Sequence, residues 1–212
     1  MSDVLERIRE AVIDRKREEI GNSVNAAIAE GLHHERILNE GLIAAMDIVG
    51  RRFAAGEIFV PEMLVSALTM KMGLEIVKPL LTQSDGSSKG LILIGTVKGD
   101  LHDIGKNIVA IMLEGAGFTV VDLGVDLPAQ KIADKVQELK PNILGLSALL
   151  TTTMPELQGV LKELDDRELR NKVKVMIGGA PVDARFAEKI GADGYGEDAA
   201  EAVHLARRLL TE

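Results

Sequence analysis

One histidine in this chain stands between two carboxylates: His102 in "GDLHDIG", Gly99 to Gly105. If residues 98–102 are extended, Asp100 and His102 project to the same side. The carboxylate can then hold one ring nitrogen while the other points outward as a lone-pair donor. A carboxylate behind a histidine is the usual support of a metal ligand, because it fixes the tautomer and raises the basicity of the ligating nitrogen. On Asp-x-His alone, an ordinary polar loop with Asp103 capping the next helix is the stronger reading. His33, His34 and His204 lie in helical segments elsewhere, and there is no cysteine. His102 therefore has no partners with which to hold a free ion. It can supply one axial bond to a metal that a macrocycle already holds. Gly105, just past the histidine, and the pair Gly178 and Gly179, at the end of a later apolar run, let backbone approach something bulky, although each reads equally well as a plain turn glycine.

These residues need elements to position them. From residue 2 to about 81, apolar residues recur at helical spacing: Val4, Leu5, Ile8, Val12; Val24, Ala27, Ile28; Ile37, Leu38, Leu42, Ala45, Met46, Val49; Met63, Leu64, Ala67, Leu68, Leu74. Gly31 can stop one helix and Pro61 can open another at its first turn, which gives four helices in an antiparallel bundle. The polar stretch "TQSDGSSKG", residues 82–90, has the composition of a linker. The expected domains are 1–85, helical, and 86–212. In the second domain, short apolar runs ("LILIG", "FTVVDLG", "NILGLS", "VKVMIGG" and a weak "DGYG") are each followed by a helical stretch. Continuous apolar strands suit a sheet covered on both faces, so the expected fold is α/β, a doubly wound, five-stranded parallel sheet behind a helical domain. Ligands of such sheets bind at the carboxyl ends of the strands, where the His102 loop begins.

Composition removes several function classes. The 212 residues carry a net charge of −8, no long basic stripe and only 2% aromatic residues, a poor match to a nucleic-acid surface. With no cysteine there is no disulfide framework, thiolate zinc site or iron–sulfur cluster. The start, "MSDVLERIRE", is charged, and no apolar run reaches membrane-spanning length, so a cytoplasmic protein without a membrane partner is expected.

The combination "DLHDIG" (Asp100 to Gly105), "SAL" (Ser147 to Leu149) and "GG" (Gly178, Gly179) resembles the signature of the cobalamin-binding domain family, in order and in spacing. The helical segment, with "GRRFAAGEIFVPEMLVSALTMK", is similar to the four-helix cap of cobalamin-dependent methionine synthase and of the small corrinoid proteins of methyltransferase systems. The likeness spans essentially the whole chain. It implies cobalamin or a related corrinoid as cofactor (methylcobalamin in the loaded state), with His102 as the lower axial ligand of cobalt and Asp100 as its hydrogen-bond partner. The loop Gly99, Leu101, Asp103, Ile104 and Gly105 would surround that ligand. Ser147, Leu149 and Thr151 would line the slot for the nucleotide tail, and Gly178, Gly179, Tyr195, Gly196 and Ala199 would border its far end. Thr153 stands where methionine synthase completes the relay with serine; its hydroxyl could take the same role, subject to the restricted rotamer of a β-branched side chain. Phe53 and Val60 match positions that cover the methyl face of the corrin, and both also suit a bundle core.

The implied activity is that of a methyl carrier. The cobalt alternates between a methylated form with the histidine bound and a reduced, nucleophilic form without it. The partners would be a substrate-specific methyltransferase, an acceptor methyltransferase (with tetrahydrofolate or a thiol as acceptor) and a reductive activator. The alternative from the same loop signature is the cobalamin-binding subunit of an adenosylcobalamin-dependent mutase, where a helical cap would obstruct the partner barrel. A cobalamin-sensing regulator would need a basic helix-turn-helix, and a dinucleotide-binding domain would need G-x-G-x-x-G in the first loop; neither is present.

Overall fold

The computed structural model describes residues 2–80 and 89–211. Residues 82–88 of the expected linker, and with them the expected boundary after residue 85, lie outside the described residues. The chain divides into two compact units, a helical one that ends before Lys89 and takes in Glu114–Gly117, and a second formed by Lys89–Leu113 and the chain from Phe118 onward.

In the first unit, α1 (Ser2–Ile13) and α2 (Arg17–Ala29) are followed by α3 (His34–Arg36), a π-helical stretch (Ile37–Ile43) and α4 (Ala44–Ala54), and then by α5 (Val60–Val77). From α3 to α4 the backbone stays helical, with Arg36 and Ile43 both in the right-handed region. Four helical rods thus stand where the apolar periodicity puts four helices. α1 packs on α2 and α4, and α5 packs on the same two, closing a ring around Ile8, Ile20, Ile37, Leu42 and Met63. Gly31 follows α2 at φ +78°, the left-handed turn that ends a helix, and Pro61 sits in the first turn of α5. The π-helical stretch is not visible in the sequence pattern. Its wider turn buries Gly41, Leu42 and Ile43 in succession, and a Cβ at Gly41 would lie 3.1 Å from Ile8 Cγ2.

The second unit alternates β1 (Leu91–Thr96), α6 (Ile104–Gly115), β2 (Thr119–Asp122), α7 (Ala129–Leu139), β3 (Ile143–Ser147), α8 (Met154–Asp166), β4 (Lys174–Gly178), α9 (Ala184–Ile190), β5 (Gly194–Tyr195) and α10 (Ala199–Leu209). All strand pairs are parallel, in the order β2-β1-β3-β4-β5. Ile92, Leu93, Ile143, Leu144 and Val175 are fully buried, as continuous apolar strands require when helices cover both faces. Asp183 and Asp198 cap α9 and α10 by accepting from the amides of Phe186 (2.7 Å) and Glu201 (2.8 Å). The register places Thr96 beside Ser147, Ser147 beside Gly178, and Ile177 beside Tyr195, so the carboxyl ends of the central strands finish together. Because the chain runs from β1 out to β2 and then returns to β3, the loops after β1 and β3 diverge. The topological switch point, where sheets of this kind bind ligands, lies between them.

Candidate cofactor site

The loop that leaves β1 is not extended as the spacing argument assumed. The strand ends at Thr96, the Asp100 amide donates to Val97 O at 3.2 Å, and Gly99 takes φ +78°. A turn closes here because glycine can enter the left-handed region without strain. Asp100 and His102 nevertheless meet, by a different route. Oδ1 of Asp100 accepts from the His102 backbone amide (3.1 Å) and lies 2.7 Å from Nδ1 of the ring, an Asx-type turn that carries the imidazole with it.

Asp100 is completely buried, whereas the His102 side chain is 51% exposed. The second carboxylate oxygen faces the loop after β3. Oδ2 accepts from the Leu149 amide at 2.7 Å and from the Thr153 hydroxyl at 2.8 Å. Thr153 is buried at the start of α8, with Leu150 O also within reach of its hydroxyl, so the β-branched rotamer does deliver the hydrogen bond. Burial alone would raise the Asp100 carboxyl. The bonds from Leu149, the His102 ring, Thr153 and the His102 amide outweigh it and hold the group well below the usual carboxylate range. An ionised carboxylate only accepts, so Nδ1 carries a proton, and in the neutral ring the lone pair then lies on Nε2. Among the described residues Nε2 has no hydrogen-bond partner, and no set of three or more His, Asp or Glu side chains converges on a common point.

Exposed apolar residues flank these groups in the same two loops: Leu101 and Ile104, 72% and 76% exposed, on either side of His102 in the chain, and Leu149 and Leu150 after β3. Gly105 opens α6, and a Cβ there would meet nothing within 4 Å. Asp103 precedes α6 and accepts from the Asn107 side-chain amide at 3.2 Å. Ser147 and Gly178 end neighbouring strands, and Tyr195 and Gly196 follow on β5, where the Gly196 amide donates to Ile177 O at 3.1 Å. Ala199 is buried at the start of α10, while Thr151 lies exposed in the loop after β3. Burial, then the charges of Glu197, Asp183 and Asp198, push the Tyr195 phenol up, which keeps it a neutral donor. The paired glycines have an internal reason. At Gly179, φ +125°, a Cβ would stand 1.9 Å from Ala148 O, and at Gly178 one would stand 3.1 Å from Gly196 O. Close backbone approach excludes a side chain at Gly179 and crowds one at Gly178. In the helical unit Phe53, near the end of α4, and Val60, first in α5, are half-buried; the neighbouring Phe59 is 70% exposed.

Sequence reasoning missed three groups that shape this region. The buried Thr96 hydroxyl donates to His102 O at 3.0 Å, and Asp126 accepts from the Gly99 amide at 2.7 Å. Lys106, its side chain 1% exposed, pairs with Asp122 at the end of β2 and with Asn107. No motif marks them, because each acts through backbone geometry or a partner distant in sequence.

The family of B12 binding domains matches this chain twice, over residues 4–78 and over residues 90–204. The chain belongs to that family. Its cofactor is a corrinoid, which brings its own cobalt and the bonds that a lone imidazole cannot supply. The chain is 44% identical over 209 residues to dimethylamine corrinoid protein 1 of Methanosarcina acetivorans, covering 98% of each. It is 41% identical over 210 residues to the trimethylamine corrinoid protein of Methanosarcina barkeri, covering 98% of this chain and 97% of the relative. A solved structure, the methanol:cobalamin methyltransferase complex of Methanosarcina barkeri, superposes with a TM-score of 0.84 at 33% identity, over 99% of this chain and 80% of that one. The second unit fits the group in its own right: a half-exposed imidazole held through Nδ1, exposed leucine and isoleucine side chains in the same loops, and open space at Gly105 where the next helix starts.

Proposed function

We propose that this corrinoid protein carries a methyl group between two methyltransferases, one that demethylates a specific substrate and one that methylates an acceptor such as tetrahydrofolate or a thiol, with a reductive activator restoring the oxidised cofactor. When bound, the corrinoid supplies a cobalt that accepts and releases the methyl group. The observation that carries the reading is the His102–Asp100–Thr153 relay in loops that expose Leu101, Ile104, Leu149 and Leu150. His102 would hold the cobalt through Nε2, with Asp100 keeping the proton on Nδ1. With four donors on its oxygens, Asp100 stays ionised. The buried carboxylate would thereby hold the ring in one orientation and one tautomer, whether or not its other nitrogen is bonded to the metal.

Leu101, Ile104, Leu149 and Leu150, exposed in this structure, would be covered by the bound corrinoid, and Gly105 offers no side chain in its way. Ser147, Thr151, Gly178, Gly179, Tyr195, Gly196 and Ala199 are assigned to the nucleotide tail, and Phe53 and Val60 to the cap over the reactive face. The domain division near residue 85 and a cytoplasmic setting belong to the same proposal; no described helix is long and apolar enough to cross a membrane. The test is a transfer assay with a radiolabelled methyl donor and reduced, cobalamin-loaded protein. Label should reach the protein only when a matching methyltransferase is added, and should leave it only with a second one. Rapid, saturable demethylation of a donor by the isolated chain would overturn the carrier role.

A further inference from the structure

Asp100 fixes the ring of His102, but a different pair of residues fixes the backbone that presents it. Thr96 is the last residue of β1 and is fully buried. Its amide donates to Gly124 O (3.0 Å), its carbonyl accepts from Leu127 N (3.1 Å), and its hydroxyl donates to His102 O (3.0 Å). A β-branched side chain on such a pinned backbone has little rotamer freedom, so the hydroxyl is a fixed post. Asp126 grips the other side of the loop twice. Its carboxylate accepts from Gly99 N (2.7 Å), and its own amide donates to Asp100 O (3.0 Å). It does so at φ +52°, a left-handed conformation that aspartate tolerates better than most residues. The next residue, Leu127, is the one bonded to Thr96 O, so both grips spring from one clamped stretch. Neither touches the Asp100 carboxylate or the imidazole ring.

We infer that Thr96 and Asp126 are positioning residues that hold the ligand loop in its working shape before the corrinoid arrives, so that binding and release of the metal move the ring and not the chain. The inference rests on reading His102 as the axial ligand. It is tested first on the apoprotein, by native-state hydrogen exchange at the amides of Asp100 and His102. Their own acceptors, Val97 O and Asp100 Oδ1, are untouched by substitution at either position. Thr96→Val and Asp126→Ala should each speed exchange there by about fivefold, the equivalent of one ordinary hydrogen bond, with the Leu93 and Leu144 amides in the strands unchanged. Thr96→Ser and Asp126→Asn, which keep the donor and the acceptor, should exchange as the unsubstituted chain does. In the cobalamin-loaded, Co(II) form, the ratio of His-off to His-on protein should rise by about the same factor in Thr96→Val and Asp126→Ala alone. Unchanged loop exchange overturns the inference, as does a rise shared by the conservative variants, or faster exchange with an unaltered ratio. An unsubstituted chain that takes up no cobalamin would refute the ligand reading instead, and the exchange data would still judge the two clamps.

Discussion

Replacing Asp100 with Asn keeps the shape of the side chain and removes its charge, and the geometry dictates what must fail. Four donors converge on the two carboxylate oxygens: His102 Nδ1 (2.7 Å) and His102 N (3.1 Å) on Oδ1, Leu149 N (2.7 Å) and Thr153 Oγ1 (2.8 Å) on Oδ2. An amide offers one oxygen, so two donors must face its NH2 group. If the oxygen stays with His102, the Thr153 hydroxyl can turn to accept, but the Leu149 amide cannot. If the oxygen turns to Leu149 and Thr153, the His102 ring must accept at Nδ1. Its proton then moves to Nε2, which removes the lone pair that the proposed bond to cobalt needs. Either way one backbone amide loses its acceptor and the remaining bonds lose the charge of the carboxylate, so Asp100→Asn should destabilise the second unit by about 2 kcal/mol or more. Urea unfolding of the apoprotein measures this loss, and the absorption spectrum of cobalamin-loaded protein measures the His-off fraction, which should rise. A loss below about 1 kcal/mol, together with a His-on fraction equal to that of the unsubstituted chain, would refute the reasoning.

Further outcomes follow from the same geometry. Because Asp100 is held below the usual carboxylate range, its ionised form stabilises the fold above the unfolded value of about 3.9, and this contribution is lost as the pH falls below it. The urea midpoint of the apoprotein should therefore fall between about pH 5 and pH 3, and Asp100→Asn should flatten that part of the curve. Gly179→Ala puts a methyl group 1.9 Å from Ala148 O at φ +125°, so melting followed by circular dichroism should show a loss of about 3 kcal/mol or more, or no folded protein at all. Gly105→Ala meets open space on a helix, so the apoprotein should be unchanged or up to about 1 kcal/mol more stable, while titration with hydroxocobalamin should show clearly weaker binding. Phe53→Ala should speed oxidation or photolysis of the loaded protein more than it weakens cobalamin binding. If stability alone drops, by about 3 kcal/mol as for a core phenylalanine, the residue belongs to the bundle core.

The sequence made the architecture legible because burial imposes periods that can be counted. "LILI" is continuous since both faces of its strand are covered, and Val4, Leu5, Ile8 and Val12 recur at helical spacing since one face of α1 is buried. The π-helical stretch escaped because its wider turn breaks that period over a few residues only. At the site, Asp100 and His102 could be paired from their spacing, although the extended chain assumed for them proved to be a turn. Thr153 was legible only through the family pattern. Thr96 and Asp126 were not legible at all: one reaches forward six residues to a carbonyl, the other reaches back twenty-seven to an amide, and neither bond leaves a trace in composition or spacing. The reading of Gly178 and Gly179 changed most, since neighbouring backbone accounts for them before any ligand does.

The central claim is that Nε2 of His102 bonds the cobalt of a bound corrinoid. Electron paramagnetic resonance of the cobalamin-loaded protein in its Co(II) form tests it most directly, with histidine supplied either unlabelled or as 15N. The account predicts nitrogen splitting of the cobalt lines that changes from triplets to doublets on labelling, and that disappears in His102→Gly while cobalamin remains bound. Triplets that persist with 15N-histidine, or a spectrum unaltered by His102→Gly, would contradict it.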